Sequence, residues 1–68
     1  MENWDKIFTT KNLAEASIIQ GLLTENEVPV QVFNKQDSSY PMFGEIELYV
    51  PTHLHTTAKQ LIENALLN

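Results

Sequence analysis

The chain has 68 residues, a formal net charge of −5 at pH 7, four lysines, no arginine and no cysteine. That length makes one small domain, which buries only about 60% of the surface its unfolded chain exposes, so stability is modest unless copies associate. The missing cysteine excludes disulfide stapling, thiolate metal sites and a thiol nucleophile, and the scattered lysines Lys6, Lys11, Lys35 and Lys59 form no basic stripe for phosphates.

The first element is expected at Trp4 to Thr10, whose aromatic and β-branched content suits a strand. Its inward face is ambiguous, with Ile7 on one side and Trp4 with Phe8 on the other. Asn12-Leu13-Ala14-Glu15 reads as a helix N-cap with an acidic residue three positions on, a capping-box variant. The helix it opens carries Ala14, Ile18 and Leu22 along one line and Ala16, Ile19 and Leu23 alongside. Together they cover roughly half the cylinder, a stripe wide enough to be deeply buried or to reach a second subunit. Asn26-Glu27 ends the helix, with Asn26 expected to take the left-handed conformation.

Val28-Pro29-Val30-Gln31-Val32-Phe33 then alternates, placing Val28, Val30 and Val32 on one face, and Pro29 confines the strand to an edge or to starting there. A polar loop from Asn34 to Gly44 follows. Glu45 to Val50 alternates cleanly, with Ile46, Leu48 and Val50 inward and Glu45, Glu47 and Tyr49 outward. Pro51-Thr52 stops that strand, and Thr52 is the expected N-cap of a second helix with Leu54, Ala58, Leu61, Ile62 and Ala65 on its inner face.

The order is βαββα, a single domain over residues 1–68. A right-handed crossover between the first two strands, with the third antiparallel between them, gives a three-stranded antiparallel sheet in order 1-3-2. Both helices cover one face. This is a ferredoxin-like α+β plan lacking its last strand, with one open sheet face and an unpaired edge.

These residues suggest a family. Trp4 precedes a strand ending in Thr, and Asn12 with Glu15-Ala16 opens a helix. Leu22-Leu23, Val28-Pro29, Leu48-Tyr49-Val50-Pro51 and Ala58 complete a pattern that spans nearly the whole chain. It resembles the small bacterial domains described as "putative prokaryotic signal transducing protein", and Asn34 to Tyr40 with Phe43-Gly44 is similar to their Bacteroidetes-type members. Glu27 departs from the pattern, which often has Gly before the Ile/Val-Pro step. The resemblance implies a fold like the nitrogen-regulatory PII proteins, whose effector loop also joins the second and third strands. It implies neither their activity nor any particular site.

The loop is the candidate site. Asn34, Lys35, Gln36, Asp37, Ser38 and Ser39 offer closely spaced donors, acceptors and one cation, while Tyr40 and Phe43 add apolar anchors. The alternative is a structural turn in which Asp37 and the serines bond local amides and Tyr40 and Phe43 fold back onto the core. His53 and His55 are two apart, so on a helix they point away from one another, and no metal is expected there. No triad geometry stands out, and neither enzyme nor cofactor is expected. Phe33, Tyr49 and either Trp4 or Phe8 on the open sheet face could stack on RNA bases, but Glu45 and Glu47 share that face, and nucleic acid is not an expected partner. The start lacks the basic and apolar regions of a signal peptide, and no apolar run would span a bilayer, so the expectation is a cytoplasmic protein without a membrane partner.

The expected function is a small non-enzymatic regulatory or binding module, contacting a protein or small ligand through residues 34–44. The alternative is a self-assembling domain, a homo-oligomer whose loop and open sheet face form the subunit interface.

Overall fold

The structure, a computed structural model, describes residues 3–36 and 44–66. Strand β1 (Trp4–Thr10) leads into helix α1 (Leu13–Glu25), strand β2 (Gln31–Asn34) and strand β3 (Ile46–Pro51). A 3-10 turn (Thr52–Leu54) then runs into helix α2 (His55–Leu66). The strands form one antiparallel sheet in the order β1-β3-β2. Both helices pack on β1 and β3, which is the ferredoxin-like α+β plan the sequence implies.

The alternation of β3 sets the layers. Ile46, Leu48 and Val50 are completely buried beneath the helices, while Glu47 and Tyr49 face the other way. Against them pack Ala16, Ile19 and Leu23 of α1, Ala58 and Ile62 of α2, and Val28 from the turn before β2. Leu54 and Leu61 close the α2 side, whereas Ala65 is exposed.

The ambiguity of β1 is resolved by a bulge. Lys6 pairs with Tyr49 and Phe8 with Leu48, so Ile7 is the extra residue. A bulge changes the face onto which the following side chains project. Trp4 and Lys6 therefore share the open face with Tyr49, while Phe8 and Thr10 fall on the helix side, and both Ile7 and Phe8 reach the core. A regular strand would have lost one of the two.

Helix α1 opens as expected: Asn12 Oδ1 accepts the Glu15 N–H at 3.1 Å. The Thr10 hydroxyl donates to Glu15 Oε1 at 2.7 Å and accepts the Asn12 N–H at 3.0 Å, which ties the end of β1 to the first turn of α1. At the other end the left-handed residue is Glu27, at φ 62°, and not Asn26, at φ −99°. Val28 N–H reaches Leu23 O at 2.9 Å and Glu27 N–H reaches Thr24 O at 3.1 Å, a Schellman motif closed by the buried Val28–Leu23 pair. Asn26 instead donates its side-chain amide to Leu22 O.

Three further expectations shift. Strand β2 starts at Gln31, because Val28 turns into the core and Pro29 cannot donate to a ladder. Only half of the broad apolar face of α1 is covered, since Ala14 is exposed and Ile18 remains 70% exposed. Thr52 does not cap a helix: its hydroxyl donates to Asp5 Oδ1 at 3.0 Å, and Pro51 occupies the cap position of the 3-10 turn.

Candidate functional site

The β2–β3 connection is held at its base. Lys35 N–H donates to Glu45 O at 3.0 Å, extending the β2–β3 ladder one step beyond Asn34–Ile46. Asn34 Oδ1 accepts the Gln36 N–H at 2.9 Å, a local turn that bends the chain out of the strand. The Gln36 side chain reaches across to donate to Lys11 O at 2.6 Å, joining the loop base to the β1–α1 connection. Gly44 closes the other side at φ +89°, where any Cβ would overlap the Lys35 carbonyl. Glycine is required there both by its conformation and by the close approach of backbone.

The candidate residues therefore divide. Asn34 and Gln36 shape the base, with Asn34 Oδ1 and Gln36 Nε2 each bonded to backbone. Lys35 turns onto the open sheet face. Asp37, Ser38, Ser39, Tyr40 and Phe43 lie outside the described residues.

On that face Lys35 meets a cluster that the hairpin register assembles. Its Nζ lies 3.2 Å from Glu47 Oε1, and Lys6 Nζ lies 3.6 Å from Glu47 Oε2. The Tyr49 hydroxyl donates to Glu47 Oε1 at 3.0 Å. Hydrogen bonds from Lys35 and then Tyr49, with the charges of both lysines behind them, hold the Glu47 carboxyl below the ordinary glutamate range. Phe33 stands edge-on to Tyr49 with ring centroids 5.4 Å apart. Phe33, Lys35, Glu47 and Tyr49 line an open hollow of about 200 Å³.

Sequence reasoning placed Phe33, Glu47 and Tyr49 on the open face but not Glu47 as the point where Lys6 and Lys35 converge. Strand alternation signals which side each residue takes, whereas their convergence depends on a register that the bulge at Ile7 offsets. The arrangement offers aromatic surface beside two ammonium groups that already share one carboxylate, which suits recognition.

His55 Nδ1 sits 3.0 Å from Asp5 Oδ2 without hydrogen-bond alignment, and His53 is exposed at the preceding turn. The Asp5 carboxylate, shared with Thr52, ties β1 to the start of α2. Among the described residues no three His, Asp or Glu side chains come together as a metal would need. Nor is any described helix long and apolar enough to cross a membrane.

A three-stranded sheet in order 1-3-2, two helices on one face and a long connection between the second and third strands define a ferredoxin-like α+β domain. The chain belongs to the family described as "Putative prokaryotic signal transducing protein", whose model matches residues 4–65. No curated protein and no solved structure matches it significantly.

Proposed function

We propose that the protein is a small non-enzymatic signalling module that contacts a protein or a small ligand through the 34–44 loop and the adjoining open face. The observation that carries this reading is the pinning of both ends of the loop. Lys35–Glu45, Gln36–Lys11 and the Gly44–Lys35 contact fix the base of the segment. Recognition residues are commonly carried on loops positioned by a rigid scaffold. Lys35 is the cation at the junction of loop and hollow, Asp37, Ser38 and Ser39 supply hydrogen-bonding groups, and Tyr40 and Phe43 the apolar anchors.

The test is affinity purification from native extract, with the wild type beside an Asp37→Ala/Tyr40→Ala variant shown by circular dichroism to be folded. A protein or metabolite identified by mass spectrometry on the wild type and lost from the variant supports the reading. Identical eluates sink it.

A second reading, a self-assembling domain, draws on apolar surface left outside a small core: Leu13 is 59%, Ile18 70% and Leu66 58% exposed. Sedimentation of the wild-type chain tests it, and a strict monomer at micromolar concentration excludes it.

A further inference from the structure

The two edges of the sheet are built differently. The β1 edge is broken by the bulge at Ile7 and carries Asp5 and Lys6, both devices that discourage strand addition. The β2 edge has neither. Gln31, Val32, Phe33 and Asn34 are all exposed and uncharged, with no proline or bulge among them. On a chain of net charge −5, which repels its own copies, this strand is a neutral strip.

Its outward groups follow from its ladder. Lys35 N–H points to β3, and direction alternates along a strand, so Gln31 and Phe33 also face β3 while Val30, Val32 and Asn34 present N–H and C=O outward. The described residues place no strand on that side. The apolar flank is open as well, because both helices sit over β1 and β3. Val32 is 36% and Phe33 39% exposed. A hollow of about 320 Å³ lined by Gln20, Thr24, Glu27, Val28, Pro29 and Val30 adjoins the start of the strand.

We propose that the β2 edge is where two copies of this chain join, antiparallel about a two-fold axis normal to the sheet, into one continuous six-stranded sheet. The inference rests on the self-assembly reading and assigns it a surface. An antiparallel seam between identical strands is self-complementary. Centred on Val32, it pairs Val32 with Val32 of the second copy and Val30 with Asn34, so every outward group meets another. All helices stay on one side, and both Phe33 rings stay on the other. The described loop base, Asn34 to Gln36, then lies beside the Gln20–Val30 hollow of the other copy. A seam of one short strand falls at the small end of specific interfaces, so the sedimentation runs are made at micromolar chain concentrations.

Sedimentation equilibrium of the wild type is expected to give twice the 7.8 kDa chain mass. Val32→Lys sets two ammonium groups face to face and returns the mass to that of one chain, while the β-branched Val32→Thr keeps the dimer. Because the chain has no cysteine, Val32→Cys gives a single thiol about 5.5 Å, Cα to Cα, from its counterpart. A short bis-maleimide should link it many-fold faster than Ser17→Cys on the exposed side of α1. A wild-type monomer overturns both this seam and the self-assembly reading. A dimer that survives in folded Val32→Lys overturns the seam alone. Should Val32→Lys fail to fold, equal linking rates for the two cysteine variants overturn the seam.

Discussion

Single residues carry more of this fold than its size suggests. Glu27 holds a left-handed backbone that costs an L-residue about 1–2 kcal/mol, and its charge sits at the negative end of α1. Glu27→Gly should raise stability by about 0.5–1 kcal/mol, less than the full strain because glycine loosens the unfolded chain. Thermal melting should show it as a rise of several degrees, and Glu27→Ala, which keeps the strain, should gain less. Gly44 is the converse. Gly44→Ala forces a side chain into the Lys35 carbonyl at φ +89°, and should cost about 2 kcal/mol or more in denaturant titration. At Glu47 the folded carboxyl titrates below its ordinary range, held there first by Lys35 and then by Tyr49. Its stabilisation is therefore complete above the unfolded glutamate range and is lost as pH falls through the depressed folded value. Stability measured against pH should show an acid-side decline in the wild type that is shallower in Glu47→Gln, with the two curves converging in acid.

At the scale of elements, α1 depends on its cap. Asn12→Ala removes the acceptor of the Glu15 N–H and should cost about 1 kcal/mol, whereas Asn12→Asp should keep most of it, a difference read by urea midpoint. Strand β3 holds the centre of the sheet, and Leu48→Ala, at a completely buried position, should cost about 2–5 kcal/mol. Both features are plain in the sequence, as an Asn-x-x-Glu spacing and a strict alternation. The element order and the strand order follow from the same patterns. The face of β1 does not, because a bulge is an extra residue that only the partner strand can reveal: Ile7 is defined by Lys6 meeting Tyr49 and Phe8 meeting Leu48. The ending of α1 also misleads. Asn26 is the residue type that tolerates the left-handed region, yet the Schellman hydrogen bonds place that conformation one residue later, where Val28 can drop onto Leu23. The Lys6–Glu47–Lys35 cluster stayed hidden because it joins three strands, and no local pattern encodes a distance between strands.

For the whole molecule the two layers make a flat body, 35 × 32 × 16 Å, with a single core between helices and sheet. Its loop base and the β1–α1 connection lie at one end, joined by Gln36 Nε2 on Lys11 O. Gln36→Ala should lower the melting temperature by several degrees at most, since an exposed hydrogen bond falls at the lower end of about 0.5–1.5 kcal/mol. Amide hydrogen exchange should nonetheless quicken at Lys35, where the loop is anchored. Such a split would locate the contact in the presentation of the loop rather than in the integrity of the fold.

The closure of that loop has a consequence for how the domain can diversify. Lys35 and Gly44 meet across the neck, and the hydrogen bonds that fix it, Lys35 N–H to Glu45 O and Gln36 Nε2 to Lys11 O, lie on its stems. An insert exchanged between Gln36 and Gly44 that preserves this neck would keep those bonds and the antiparallel register below them. Gly44 is thus the position that any such exchange must leave alone.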